Sequence, residues 1–302
     1  VAIGIGAAVL LAVSACSSSS SPSKKAAAPL PTVKGSYGTK PTLTFPTATP
    51  STALQVKVLS DGKGPVVASG ELMVADYLGE IWRGKVFDNS YDRKQPIATP
   101  IGVGQVIKGW DTGLVGKHVG SRVLLVVPPA QGYGSAGQSS AGIKGTDTLA
   151  FVVDIVSAYS KKDIGDTKAV PTNVATAPVT VTGVLGAEPK ISVVKGTAIP
   201  KAAKTVVLAK STGAPVKAGL VVLQYEAEYY TDTLADSTFQ RGQPQATSVG
   251  VAGQNNPFDG VIGVPIGSRV LITTPVQDQN GKTAGAAIVA DIIAQSGPAK
   301  AS

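Results

Sequence analysis

The hydrophobic positions of this chain fall in short, partly alternating runs rather than in long helical stripes. Ala53–Leu59, Glu71–Leu78, Arg122–Val127 and Thr148–Val156 are rich in β-branched residues and bounded by Gly, Pro or Asp. That pattern predicts antiparallel strands. Lys108–Leu114 fits one short helical turn, although Gly109 and Gly113 weigh against it on propensity. The 35 glycines and 21 prolines point the same way, to turn-rich β structure.

The pattern occurs twice. Val33–Pro41 (VKGSYGTKP) matches Val181–Pro189 (VTGVLGAEP), a shift of 148 positions (181 − 33). At the same shift Asp88 pairs with Asp236, Arg93 with Arg241, and Gln95-Pro96 with Gln243-Pro244. Gly120–Leu124 (GSRVL) answers Gly267–Leu271 at 147, and Val153-Asp154-Ile155 answers Ala290-Asp291-Ile292 at 137. A register held this long marks an internal repeat, and its falling value places a loop lost from the second copy after Pro275. The length, 302 residues, fits two cores better than one. The expected fold class is α+β, with two similar domains, each a curved antiparallel sheet wrapped around a short α-helix. Residues 32–160 form the first, 161–178 a linker, 179–296 the second, and 297–302 a tail.

The first residues change the picture of where the chain works. Val1–Ala15 is apolar and uncharged, too short to span a bilayer comfortably, and reads as the hydrophobic region of a signal peptide lacking its basic start. Cys16, the single cysteine, follows Val13-Ser14-Ala15 in the manner of a bacterial lipobox. Lipidation of Cys16 would make residues 16–31, with the run SSSSSPS, a flexible tether holding an exported protein to the outer face of the cell membrane; a chance Cys beside an ordinary signal peptide is the alternative. One cysteine leaves no intrachain disulfide. The net charge is +8, with Lys24, Lys25, Lys161, Lys162 and Lys168 in the linkers. Basic linkers suit anionic headgroups or wall polymers, but solvated charge explains them more simply. An exported chain without an Arg-rich face is not expected to bind nucleic acid.

Much chemistry finds no support. His118 is the single histidine, in a turn-like, solvent-facing stretch, so no His-based triad can be assembled. One His and one lipobox Cys make no zinc site, and no metal or cofactor is expected. Gly79–Val86 (GEIWRGKV) approaches a phosphate loop, but Val86 stands where Ser or Thr is required, and the segment falls between strands as a hairpin turn. Gly102-Val103-Gly104 lacks the third glycine of a dinucleotide loop, since Ile107 sits there.

What remains is aromatic. Tyr77, Phe87-Asp88, Val106-Ile107 with Trp110, Tyr133 and Phe151 cluster at strand ends and in loops, while Trp82 is expected on a strand exterior. Taken alone, the set fits a core better than a pocket. Its order decides. Tyr77-Leu78-Gly79, then Gly84–Arg93 (GKVFDNSYDR), Gly102–Asp111 (GVGQVIKGWD), Val119–Arg122 (VGSR), Pro128-Pro129 with Gly132-Tyr133-Gly134, and Thr148–Phe151 (TLAF) closely resemble the FKBP-type peptidyl-prolyl cis-trans isomerases. The resemblance spans residues 55–158, and its VIKGW and FDNS segments are specific.

The resemblance implies a catalytic set of Tyr77, Phe87, Asp88, Ile107, Trp110, Tyr133 and Phe151. Trp110 would floor the pocket under a proline ring, with Tyr77, Phe87, Val106, Ile107 and Phe151 as walls. The Ile107 N–H and Tyr133 hydroxyl would bond substrate carbonyls, and Asp88 would sit at the rim, held by Arg93 or Tyr77, or else brace the sheet edge. Arg93, Ile97, Val106, Ile143 and Leu149 complete the substrate-binding set. Implied partners are proline-containing polypeptides and macrolide inhibitors. Two departures alter the site: Ile97 stands where the family often has an aromatic, and Lys144-Gly145-Thr146-Asp147 replaces a common Pro-Pro-Asn turn.

In the second copy Phe87 becomes Ala235, Phe151 becomes Ile288, VIKGW becomes Gln254–Phe258 (QNNPF), and the Tyr133 loop is gone, while Tyr225 and Asp236 remain. That copy is expected to fold without isomerising. The expected function is a lipid-anchored prolyl isomerase assisting exported proteins; a non-catalytic envelope lipoprotein that holds clients is the alternative.

Overall fold

Among the described residues every strand pairs antiparallel, and the strands collect into two large sheets and two small hairpins. The computed structural model describes residues 28–231, 233–278 and 280–297. The expected signal segment, Cys16, most of the tether and most of the tail lie outside the described residues.

In the first half the elements are β1 (Thr32–Lys34), β2 (Thr42–Thr44), β3 (Gln55–Ser60), β4 (Leu72–Ile81), β5 (Val86–Asn89), α1 (Ser90–Arg93), β6 (Ile97–Pro100), α2 (Lys108–Leu114), β7 (Arg122–Val127) and β8 (Leu149–Tyr159). The sheet order is β3-β7-β8-β4-β5, and β6 pairs with β4 beyond β5. β8 lies at the centre, flanked by β7 and β4, which are buried on both faces over most of their length. Hence Met73, Ala75, Val123, Leu125 and Val153 enter the core that packs on α2, while Val74, Leu124 and Val152 are buried on the opposite face.

The helix α2 forms where expected, and its two glycines are there for contact rather than for propensity. A Cβ on Gly109 would lie 2.6 Å from Val127 Cγ1, and one on Gly113 would lie 2.6 Å from Leu125 Cδ2. Close approach to β7 therefore outweighs a helix penalty of about 1 kcal/mol per glycine.

The second half repeats the order: β9 (Val170–Pro171), β10 (Val179–Thr182), β11 (Lys190–Val193), β12 (Lys204–Lys210), β13 (Gly219–Tyr229), β14 (Thr233–Ser237), α3 (Thr238–Arg241), β15 (Gln245–Val249), β16 (Arg269–Gln277) and β17 (Thr283–Ser296). β14-β13-β17-β16-β12 mirrors the first sheet, and β15 pairs with β13 as β6 does with β4. The segment expected as a free linker is not free. β9 adds an edge strand to β12, Ala169 is buried, and Asp166 accepts from the Ser211 hydroxyl at 2.8 Å. Where residues 128–148 connect β7 to β8, only 278–282 connect the longer β16 and β17.

One buried ion pair anchors each half. Arg122 Nε and Nη2 donate to the two carboxylate oxygens of Asp154 at 2.6 and 2.7 Å, with side chains 2% and 0% exposed. The remaining donors reach the hairpin ahead of the sheet, at Gly35 O and Thr39 O, both 2.6 Å. Arg269 and Asp291 repeat the fork at 2.6 and 2.8 Å, and Arg269 reaches Val184 O and Ala187 O. Removing one member of a buried pair strands the other charge, at about 3–5 kcal/mol, whereas replacing both with apolar residues costs far less. Arg122→Met should lower the unfolding free energy of the first half by about that amount in a urea titration. Adding Asp154→Leu to it should restore most of the loss.

Candidate functional site

The cavity above α2 is assembled from five separate elements, which a close-packed sheet brings to one end. β4 supplies Tyr77, β5 supplies Phe87 and Asp88, β8 supplies Phe151, β6 supplies Ile97, and α2 with the loop before it supplies Val106, Ile107 and Trp110. Tyr133 comes from the long β7–β8 connection. The space they enclose is about 410 Å³, within the range of ligand pockets.

Its walls are edge-on aromatic contacts. Trp110 meets Tyr77 with ring centroids 5.3 Å apart and Phe151 at 5.5 Å, and Phe87 meets Phe151 at 5.6 Å, all near-perpendicular. Such T-shaped pairs are favoured by the ring quadrupoles and fix the orientation of the walls. Gly79 makes room for them: a Cβ there would stand 2.6 Å from Phe87 Cζ and 2.9 Å from Phe151 Cε1. Trp110 is 4% exposed, and its indole Nε1 has no acceptor among the described residues.

The polar rim is a closed circuit. The Tyr77 hydroxyl donates to Asp88, Arg93 Nη1 donates to the other oxygen of Asp88, and Arg93 Nη2 donates to the Tyr77 oxygen at 3.2 Å. The Arg93 guanidinium also lies over the Tyr77 ring, 5.6 Å from its centroid, a cation–π arrangement. Burial, then the Asp88 hydrogen bond, push the Tyr77 phenol up to about 12. Burial and Asp88 also raise Tyr133.

Asp111 holds the loop in front of the site. Its carboxylate accepts from Gly102 N at 2.6 Å and Gly104 N at 2.8 Å, and both glycines have φ near +80°, where other residues are strained. The loop ends at Ile107, which caps α2, so its N–H is among those without a partner inside the helix. Asp259 does the same for Gly250 at 2.7 Å. Sequence reasoning passed over Asp111, although its recurrence at the repeat shift was a usable signal. Gln105, which lines the cavity, was also passed over; a polar residue in a glycine loop carried no signal.

All seven residues expected to be catalytic line this cavity, with Ile97 and Val106. Three of the expected substrate contacts do not line it. Ile143 and Leu149 are 4% and 1% exposed and belong to the core beneath. Arg93 stands behind Asp88 and acts through it. Two side chains away from the site also differ from expectation. Trp82 is not on an open exterior, since Phe45 packs edge-on against it at 5.1 Å. His118 is half-buried, its Nδ1 2.9 Å from Gly64 O. Among the described residues no group of three His, Cys, Asp or Glu side chains could hold a metal ion.

At the matching place in the second half lies another opening, of about 440 Å³, lined by Tyr225, Asp236, Gln245, Thr247, Gln254, Asn255, Asn256, Pro257 and Phe258. Tyr225, Asp236 and Arg241 repeat the rim circuit. Phe258 packs at 5.4 Å from Tyr225 as Trp110 does from Tyr77.

Comparison with known proteins agrees with the geometry of the first half. Residues 64–156 match the model of the FKBP-type peptidyl-prolyl cis-trans isomerase family. An FK506-binding protein of Streptomyces anulatus is 38% identical over 119 residues, covering 39% of this chain and 96% of the relative. FK506-binding protein 2 of Dictyostelium discoideum is 41% identical over 111 residues, covering 36% of this chain and 83% of that protein. The crystal structure of FkpA from Escherichia coli is 38% identical, with a TM-score of 0.33, covering 37% of this chain and 50% of that one. The chain belongs to the FKBP-type peptidyl-prolyl cis-trans isomerases.

The titration of the site has a consequence for its pH dependence. Tyr77 keeps its proton to about 12, and no His or Cys lines the cavity. The rate of Xaa-Pro isomerisation, followed by a direct fluorescence assay, should therefore stay level from about pH 6 to about pH 10. A rate that follows a pKa near 7 would point to a titrating group outside this set.

Proposed function

We propose that the cavity of the first half catalyses rotation about Xaa-Pro bonds in polypeptides that have left the cytoplasm, and that Cys16 tethers the enzyme by its lipid. The observation that carries the catalytic reading is the aromatic box around Trp110, lined by no Ser, Thr, Cys, His or Lys. Rotation about a peptide bond needs none. The barrier of ~18–20 kcal/mol is resonance, and unaided X–Pro rotation takes tens of seconds or more. The planar amide carries more charge separation than the twisted one, so water favours the planar form. An apolar slot withdraws that preference.

In this reading Trp110 receives the pyrrolidine ring face-on, and Tyr77, Phe87, Val106 and Phe151 exclude water around it. The Ile107 N–H holds the carbonyl of the prolyl residue, and the Tyr133 hydroxyl holds a second carbonyl. The Tyr77–Asp88–Arg93 circuit fixes the rim without itself reacting. Lowering the barrier by about 5 kcal/mol would speed rotation by roughly three to four powers of ten. Ile97 opens one wall and the Lys144–Asp147 turn reshapes the loop above it, so macrolides fit the box with altered affinity.

The repeat of strand order and ion pair supports two sister domains, the second without catalysis. Its opening lacks the equivalents of Phe87, Phe151 and Tyr133, and its walls are amides.

Trp110→Ala and Phe87→Ala in the full chain should each lower kcat/KM for a Xaa-Pro tetrapeptide at least tenfold while the far-ultraviolet circular dichroism is unchanged. Full activity in folded Trp110→Ala would sink the assignment and point to the second half instead. The tether is tested separately. Cys16→Ala in the exporting bacterium should abolish labelling by radioactive palmitate and move the protein from the membrane to the medium or soluble envelope fraction. Retention of both label and membrane association would overturn lipidation at Cys16.

A further inference from the structure

The two openings share a frame but differ in one consistent respect. Ile97, Val106 and Ile107 of the first correspond to Gln245, Gln254 and Asn255 of the second, three apolar walls exchanged for three carboxamides. The space has not collapsed as a result; it remains about 440 Å³. Asn256 is committed to holding the loop, donating to Thr247 Oγ1 at 2.8 Å and Ser248 O at 2.7 Å and accepting from Phe258 N at 2.9 Å. Gln245 is half committed, to Arg241 and to Ala246 O. Gln254 and Asn255 line the opening and are exposed, and among the described residues their side chains make no hydrogen bond.

Charge and apolar area then narrow what can enter. Asp236 is neutralised by Arg241, and no other carboxylate or ammonium lines the opening. Two rings, Tyr225 and Phe258, line this opening, against five in the first, so it offers less apolar area to a sugar ring or a large apolar side chain. A carboxamide offers a donor and an acceptor side by side, the complement of a peptide group. The site is also within reach of the first. Gln95, two residues before Ile97, donates to the Ser248 hydroxyl at 2.7 Å, beside Thr247. Gln243, two residues before Gln245, donates to Gly70 O at 2.7 Å. The residues that lead into β6 and β15, the strands that wall the two openings, thus lie where the halves touch.

From these observations we propose that the second opening is an accessory subsite for the main chain of an extended, polar polypeptide whose proline occupies the first. The inference rests on the isomerase reading of the first half. An extended chain gains ~3.3 Å per residue, so about twelve residues reach roughly 40 Å.

The test compares two substrates on the full chain. One is a Xaa-Pro tetrapeptide, which reports the first opening alone. The other is the same Xaa-Pro core inside a peptide of about twelve residues whose flanks are Ser, Gln, Asn and Gly. In the Gln254→Ala/Asn255→Ala variant the long-to-short ratio of kcat/KM should fall about fivefold, the effect of one or two net hydrogen bonds, with the change in KM. An unchanged ratio in the folded variant overturns the subsite. So does loss of the long-peptide advantage on adding chitotriose, which would assign the opening to a glycan. Should the double variant fail to melt cooperatively, Gln254→Ala alone gives the same reading from a single exposed side chain. Inactivity of the native chain toward the tetrapeptide would instead refute the isomerase reading.

Discussion

The buried fork between Arg122 and Asp154 fixes more of this structure than any other single contact. It lies across the register pair of β7 and β8 and closes the hairpin of β1 and β2 over the back of the sheet. Two charges taken from water are tolerable only when every donor and lone pair is met, and here they are. Gly38 N and the Tyr91 hydroxyl donate to Asp154 Oδ2 at 2.7 and 2.9 Å. Tyr91 belongs to α1, whose first residue, Ser90, accepts from Tyr77 N at 2.9 Å and donates to Asp76 at 2.6 Å. The rim of the aromatic cavity thus hangs, through α1, on an ion pair buried on the far face of the sheet. The second half keeps the fork and the α3 hydroxyl, with Thr238 in the place of Ser90, but Phe239 replaces Tyr91 and the link from rim to fork is broken.

Much of this was legible from residue patterns because the chain states its periods plainly. β7 was expected with its observed ends, and β4 and β8 within a few residues, since Gly, Pro and Asp punctuate them. The aromatic order was equally informative: residues spaced irregularly in sequence, but in a fixed succession, meet only if the sheet closes in one way. What remained hidden is what packing decides. Ile143 sits between the exposed Gly142 and Lys144 and Leu149 between the buried Thr148 and Ala150, and an apolar side chain suits a pocket wall as well as the core beneath it. The 161–178 segment looks like a linker because its Pro, Gly and Lys content is that of a linker; yet two residues, Val170 and Pro171, suffice to extend an edge. Edge strands need so few ladder bonds that composition barely registers them.

Helix α2 shows the same conflict resolved the other way. Two glycines in seven residues argue against a helix on intrinsic preference, and the helix forms because they let its backbone lie against Val127 and Leu125. The gain is positional. Trp110, on the same turn, is lowered until its ring spans Tyr77 and Phe151. A bulkier helix would have stood off the sheet and lifted the floor of the cavity.

The two openings set side by side separate what the fold requires from what rotation requires. The Tyr–Asp–Arg circuit, the aspartate that holds the glycine loop and the ring beneath the floor occur in both, so none of them alone distinguishes a catalytic pocket. The walls do. A carboxamide beside a prolyl bond would hydrogen-bond the carbonyl in its planar, most polarised form and so stabilise the state that catalysis must leave. Apolar walls at Ile97, Val106 and Ile107 give the planar form no such support. The same three positions, made Gln245, Gln254 and Asn255, turn a box that releases the planar amide into one that holds it.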